Sequence, residues 1–178
     1  MIRTERLQLT PATPDLLAAA LEGPAPLAAA LQARVPPTWP PEFLDSPALE
    51  FTRDRLTEAP QNGEWWMYFI VLPAARERLL IGSGGYKGPP ADGTVEVGYG
   101  IVSDHRRQGY ASEAVRGLLA RAFLMAEVRR VIAETLPELT ASIGVLRKCG
   151  FELIGEGSEA GVIRFELTRA AYEGKGPA

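Results

Sequence analysis

The stretch from Val95 to Ala126 constrains the fold most, because its apolar residues change from strand to helix spacing across one charged turn. Residues 94–102 are rich in Val, Tyr and Ile, which favours a strand, and Gly98 and Gly100 predict a bulge or a close backbone approach within it. Apolar residues then recur at the three-and-four spacing of one helical face. They are Ala111, Ala114, Val115, Leu118, Leu119, Ala122, Phe123 and Ala126. The pattern predicts a strand followed by a helix that packs on a sheet.

The turn between this strand and this helix has the composition of an anion-binding site. Residues 106–111 read RRQGYA, which brings two cations to the start of the helix. The first N–H groups of a helix have no partners within it, and the helix dipole adds partial positive charge at the same end. We therefore expect the turn to bind an anion such as a pyrophosphate.

Three segments carry a family resemblance. The pattern Arg106-x-x-Gly109-x-Ala111 resembles the acyl-CoA pyrophosphate loop of the GNAT superfamily of N-acetyltransferases. Residues 137–151, PELTASIGVLRKCGF, resemble the second cofactor segment of that superfamily. Residues 4–11, TERLQLTP, are similar to the start of its branch related to the ribosomal-protein N-terminal acetyltransferases. The three segments follow one another in the expected order and span nearly the whole chain.

The resemblance implies an α/β (α+β) fold with a mixed, mostly antiparallel central sheet flanked by helices and a split or bulged central strand. It implies one acetyltransferase domain over residues 1–173, and residues 174–178 are expected to form a flexible tail. The length of 178 residues is ordinary for one domain. The order of the patterned segments also favours a single sheet sandwiched by helices.

Composition limits the partners of the protein. The net charge of −3, with Lys and Arg scattered along the chain, disfavours nucleic-acid binding. Cys149 is the one cysteine and His105 the one histidine, so neither an internal disulfide nor a structural zinc site is expected. The charged first residues are unlike a secretory signal, and no apolar run reaches the ~20 residues of a membrane span. We expect a cytoplasmic protein without a membrane partner or a metal, and a homodimer is one possible assembly.

Spacing and turn residues predict the remaining elements. Thr13 and Ser46 are the expected N-caps of two helices. Trp65 and Trp66, adjacent in one strand, should point to opposite faces. The other predicted strands and helices are strands at 2–11, 64–72, 79–86, 130–136, 151–155 and 161–167, and helices from Pro14 to Glu22 and at 26–34, 47–58 and 140–149.

The proline-rich segment at residues 35–43, VPPTWPPEF, cannot be regular structure, because prolines remove donors and keep their predecessors extended. Two interpretations stay open. The segment is either a stiff connector whose Trp39 and Phe43 fill the core, or a wall of the acceptor pocket.

The resemblance also implies a cosubstrate, acetyl-CoA, with its pyrophosphate at the turn and its pantetheine arm paired along the preceding strand. Free N–H groups of a split strand would bind the thioester carbonyl and its oxyanion. The expected cofactor contacts are Ile101, Val102, Ser103, Arg106, Arg107, Gln108, Gly109, Tyr110, Ala111, Ser112 and Ser142.

Glu96 is the candidate catalytic base, because a carboxylate inside an apolar strand is costly without a use or a partner. In the resembled family an acidic residue at this strand position often takes the proton of the amine. The alternative is a carboxylate that pairs with a neighbouring arginine or faces solvent. Glu134, inside another apolar strand, is the reserve candidate.

Ser142 is the second candidate catalytic residue, since it matches a serine of the ribosomal branch that can reach the sulfur of CoA. A helix cap or a cofactor hydrogen bond is favoured over proton donation. The tyrosine that many family members use as the acid is replaced by Leu146, and their usual asparagine by Leu139.

These residues favour an N-acetyltransferase that acts on a primary amine, with the N-terminal amine of a protein or peptide as the leading acceptor. The alternatives are a small-molecule amine acetyltransferase and an inactive acyl-CoA-binding module, which Leu139 and Leu146 would suit.

Overall fold

The computed structural model describes residues 1–74 and 77–174 and contains one eight-stranded sheet. The strands are β1 (Ile2–Arg3), β2 (Gln8–Pro11), β3 (Met67–Pro73), β4 (Arg78–Tyr86), β5 (Thr94–Ile101), β6 (Arg130–Thr135), β7 (Glu152–Glu156) and β8 (Ile163–Thr168). Their order in the sheet is β1-β2-β3-β4-β5-β6-β8-β7. Neighbouring strands are antiparallel except for β5 and β6, which are parallel. The predicted fold class is confirmed.

Helices cover both faces of the sheet. They are α1 (Pro14–Glu22), α2 (Pro24–Leu31), α3 (Ser46–Glu58), α4 (Tyr110–Phe123), α5 (Thr140–Lys148) and α6 (Arg169–Glu173). Successive residues of β3 point to opposite faces. Tyr68 and Ile70 belong to a core cluster with Leu118 of α4, whereas Phe69 belongs to a second cluster with Leu17 of α1. The sheet therefore separates two hydrophobic cores.

The sheet splits between its two parallel strands. The ladder between β5 and β6 covers Thr94–Glu96 and Arg130–Ile132. Beyond these residues β5 continues beside β4, whereas β6 continues beside β8, so the two strands diverge. The predicted split is present, and a bulge lies elsewhere, between β3 and β4 at Ile70 and Val71.

The strand predicted at residues 64–72 begins only at Met67, so that boundary is wrong. Residues 60–65 form a 3-10 helix, since Pro60 presets the backbone of its first residue. Trp65 and Trp66 still pack against the clusters on opposite faces of the sheet, as predicted, although they precede the strand.

Polar side chains cap three of the described helices, α1, α3 and α6, and the sequence predicted a polar cap for the first two of them. Thr13 caps α1 as predicted, because its hydroxyl accepts a hydrogen bond of 3.2 Å from the N–H of Leu16. The cap of α3 is Asp45 instead of Ser46, with its carboxylate 3.0 Å from the N–H of Ala48. The two residues are adjacent, and the carboxylate is the stronger acceptor for the free N–H groups.

The second helix and the last helix also differ from the prediction. The second helix begins at Pro24, two residues earlier than predicted, and α6 was not predicted. Gly174 follows α6, and residues 175–178 of the predicted tail lie outside the described residues. Among the described helices, none combines the length and the apolar character needed to cross a membrane.

Candidate active site

A cleft of about 1140 Å³ opens where β5 and β6 diverge. Nine of the eleven expected cofactor contacts line it. They are Ile101, Ser103, Arg106, Arg107, Gly109, Tyr110, Ala111, Ser112 and Ser142. Residues of α5 and of the segment after α2 complete the walls, so the split in the sheet and the charged turn belong to one site.

The edge of β5 that faces the split carries backbone groups without a neighbouring strand. The N–H of Lys87 bonds the carbonyl of Glu96, and the N–H of Val102 bonds the carbonyl of Ile81, which sets the ladder with β4. Because hydrogen-bonding directions alternate along a strand, the backbone groups of Tyr99 point to the other edge, into the split. Val102 is fully buried and has no free N–H to offer a cofactor.

The turn before α4 has the backbone conformation of an anion-binding turn. Arg107 and Gly109 both have left-handed backbones, with φ of 60° and 83°. Left-handed residues alternating with other conformations bring successive N–H groups to one side, which forms an anion-binding concavity. The first turn of α4 begins at Tyr110, so the helix dipole adds to this positive end.

Arg106 is held in place by contacts on two sides. Its Nε donates to the carbonyl of Ile101 at 2.9 Å, and its Nη2 lies 3.3 Å from a carboxylate oxygen of Glu42. The guanidinium therefore links the end of β5 to the proline-rich segment across the mouth of the cleft.

Ser142 is part of a hydroxyl pair that the sequence did not predict. The hydroxyl of Tyr99 lies 3.2 Å from Ser142 Oγ and 3.1 Å from its carbonyl. Burial raises the pKa of Tyr99 to about 12, so the phenol stays protonated. Ser142 does not cap α5, because Leu139 is the N-cap residue and makes no side-chain cap bond. Tyr99 stands between two glycines in VGYGI, and this was the available signal.

Glu96 lies at the closed end of the split, is not among the residues that line the cleft, and forms an ion pair with Lys87, the residue after β4. Its side chain is 21% exposed, and it lies on the strand between Val95 and Val97, both buried. Lys87 lines the cleft. The Glu96 carboxylate is therefore paired, as the alternative interpretation proposed, but its partner is a lysine instead of an arginine.

Glu134 lines the cleft but is occupied by donors. It accepts bonds from the N–H and hydroxyl of Ser158 at 2.9 and 2.6 Å, and Arg164 lies 2.6 Å away. Burial would raise the pKa of Glu134, but the hydrogen bonds from Ser158 and Arg164 outweigh it and lower this pKa. A carboxylate so stabilised is a weak base.

The proline-rich segment contributes Trp39 to the core as the first interpretation predicts, but not Phe43. Trp39 is buried, with its ring centroid 5.9 Å from that of Phe69, so it fills the core below α1. Phe43 is 71% exposed and lines the cleft. A Cβ on Gly100 would lie 3.1 Å from Pro41, so the missing side chain allows this segment to approach β5.

Comparisons with known proteins identify the family of the chain. Residues 6–152 match the family model described as the Acetyltransferase (GNAT) domain. The chain is 32% identical over 91 residues to the uncharacterised N-acetyltransferase p20 of Bacillus licheniformis, an alignment that covers 47% of this chain and 51% of p20. It is 29% identical over 122 residues to the uncharacterised N-acetyltransferase YjdG of Bacillus subtilis, covering 55% of this chain and 73% of YjdG.

Among solved structures, a RimL ribosomal α-N-protein acetyltransferase in complex with coenzyme A superposes with a TM-score of 0.67 at 20% identity. That superposition covers 94% of this chain and 97% of the other, and at this identity it supports the fold alone. The alignment with p20 spans about half the length of that relative. The family model, however, covers most of the described residues. The chain belongs to the acetyltransferase (GNAT) family, as the resemblance of its sequence segments predicts.

Proposed function

We propose that this protein transfers the acetyl group of acetyl-CoA to a primary amine, the N-terminal amine of a protein or peptide. The observation that carries the proposal is the free edge of β5, which runs along the split and ends at the anion-binding turn. The extended pantetheine arm of acetyl-CoA suits such a surface. It can pair with the free backbone groups of β5 and leave the phosphates of the cosubstrate at the turn.

In the proposed donor complex the pantetheine arm pairs with β5 as an added strand, and the pyrophosphate meets the amides and cations of residues 106–111. The thioester then lies in the split near Tyr99, whose backbone N–H is free to stabilise the oxyanion. In this complex the Tyr99 hydroxyl donates to Ser142 Oγ, which leaves the Ser142 proton for a hydrogen bond to the departing sulfur.

Glu96 is the proposed base. A protonated amine carries the same charge as the Lys87 ammonium, so it can compete for the Glu96 carboxylate at the closed end of the split. One proton of the ammonium passes to Glu96, and the neutral nitrogen bonds to the acetyl carbon. The carbon–sulfur bond breaks while the second nitrogen proton neutralises the departing CoA thiolate, so that CoA leaves as a thiol.

The openness of the acceptor side favours a peptide end over a small amine. Phe43 is exposed there, and a Cβ on Gly98 would meet no atom within 4 Å, so the surface beside β5 is open. An open surface accepts a chain that continues into solvent, whereas a small amine is better held in a closed pocket.

Thiol release measured with acetyl-CoA and a panel of amines tests the proposal. We expect turnover with short peptides that have a free N-terminus, at rates well above those with polyamines or aminoglycosides. Matched peptides with a blocked N-terminus and a free lysine serve as the control. Preference for small amines would favour the alternative acceptor, and tight CoA binding without transfer to any amine would favour an inactive binding module.

A further inference from the structure

Arg6, far away in sequence, lies against the turn that carries the anion-binding amides. Its Nη1 donates to the carbonyl of Gln108 at 3.1 Å. Its guanidinium carbon lies 4.6 Å from the centroid of the Tyr110 ring, which is a cation–π distance. Arg6 thus touches both sides of Gly109, and a Cβ placed on that glycine would lie 3.3 Å from Arg6 Nη2.

Arg6 is itself fixed by Glu113 in the first turn of α4. The Nε of Arg6 and its backbone N–H each lie 2.7 Å from a Glu113 carboxylate oxygen. The hydroxyl of Thr4 bonds the same carboxylate at 2.5 Å. Side chain and backbone are both held, so the guanidinium has a defined position over the turn.

The bond to Gln108 determines the direction of the next amide. In a trans peptide the C=O of one residue and the N–H of the next point in opposite directions. Because Arg6 holds the Gln108 carbonyl on its own side, the Gly109 N–H points away from Arg6, and Gly109 lines the cleft. Gln108, which does not line the cleft, therefore acts through its carbonyl.

We propose that Arg6 is a positioning residue for the pyrophosphate of the donor, and that it acts by fixing the orientation of the Gln108–Gly109 peptide. The inference rests on the proposed placement of the pyrophosphate at residues 106–111. It assigns a role in donor binding to the N-terminal segment, which is remote in sequence from the donor site.

Calorimetric titration of the folded protein with CoA and with dephospho-CoA tests the inference. We expect Arg6→Ala to weaken both ligands about tenfold, which equals about 1.4 kcal/mol, since it removes the charge-assisted hydrogen bond that fixes the Gln108 carbonyl. Arg6→Lys should not restore binding, because an ammonium lacks the planar set of donors that joins Glu113 to Gln108. Glu113→Gln should weaken both ligands in the same direction. Arg3→Ala, which removes an exposed charge from β1, is the matched control and should bind as the wild type does.

Three results would overturn the inference. Binding of both ligands by Arg6→Ala within twofold of the wild type would show that the turn needs no support. A loss confined to CoA would indicate direct contact with the 3′-phosphate instead of support of the turn. Full recovery in Arg6→Lys would show that charge alone matters. A wild-type protein that binds neither ligand would instead overturn the donor site itself, so the two failures are distinguishable. All variants are titrated well below their measured melting temperatures.

Discussion

At the scale of single residues, the hydroxyl pair of Tyr99 and Ser142 is the least expected part of the site. The family's usual tyrosine on α5 is replaced by Leu146, which is buried in the core. A tyrosine from β5 instead reaches the start of α5 from the neighbouring strand. With a pKa raised to about 12 by burial, Tyr99 keeps its proton at neutral pH, and its hydroxyl can donate to the Ser142 carbonyl. Either hydroxyl can be the donor between Tyr99 and Ser142 Oγ.

Tyr99→Phe should lower kcat about five- to tenfold, because it removes one hydrogen bond that orients Ser142, a contribution of about 1–1.4 kcal/mol. The KM for acetyl-CoA should change little. Steady-state kinetics of the single and double variants with Ser142→Ala measure this, and the double variant should be no slower than Ser142→Ala alone.

Tyr68→Phe is the matched control for that experiment. Tyr68 also has a pKa raised to about 12 by burial, and its hydroxyl bonds the carbonyl of Glu64 at 2.8 Å, away from the cleft. This variant should lose stability without losing kcat. Additive losses from Tyr99→Phe and Ser142→Ala would refute the coupling.

At the scale of elements, two carboxylates bind segments that lie far apart in the sequence. The spacing of apolar residues could not predict these contacts. Glu113 binds the N-terminal turn to α4, and Glu134 binds the loop after β7 to β6. Burial would raise the pKa of each carboxyl group, but hydrogen bonds from Thr4 and Arg6, and from Ser158 and Arg164, lower both values.

The lowered pKa values predict a loss of stability in acid. Each carboxylate contributes fully above its ordinary pKa of 4.5, and the contribution disappears as the pH falls through the lower native value. Urea unfolding at pH 7 and at pH 3 should show a smaller acid-induced loss for Glu134→Gln than for the wild type. That substitution should cost about 1–3 kcal/mol at pH 7.

Glu58→Gln is the comparison for this experiment, because Glu58 is an exposed carboxylate paired with Arg55 on the surface of α3. Its acid-induced loss should equal that of the wild type. Equal losses in Glu134→Gln and the wild type would mean that the bonds to Ser158 and Arg164 do not stabilise the charged form.

At the scale of the whole molecule, the sequence predicted the strands, turns and helices that depend on the spacing of apolar residues and on the residues of the turns. The strand, turn and helix from residue 94 onward form as predicted, because apolar periodicity and Gly109 both act locally, although the helix ends at Phe123, three residues before Ala126. The family resemblance added the split sheet. Contacts between distant segments were not predictable, since the bond of Arg6 to Gln108 and the pair of Lys87 with Glu96 depend on which strands and turns become neighbours.

The central claim is that the donor's phosphates bind at the turn before α4. It is tested most directly by calorimetric titration of CoA into the wild type and into Gly109→Asp, which adds a carboxylate to the turn beside Arg6. Gly23→Asp is the control, because Gly23 also has a positive φ, at 135°, and a Cβ there would meet no atom within 4 Å. We predict saturable binding by the wild type and by Gly23→Asp, and none by Gly109→Asp. Equal CoA binding by a folded Gly109→Asp variant would contradict the proposed site.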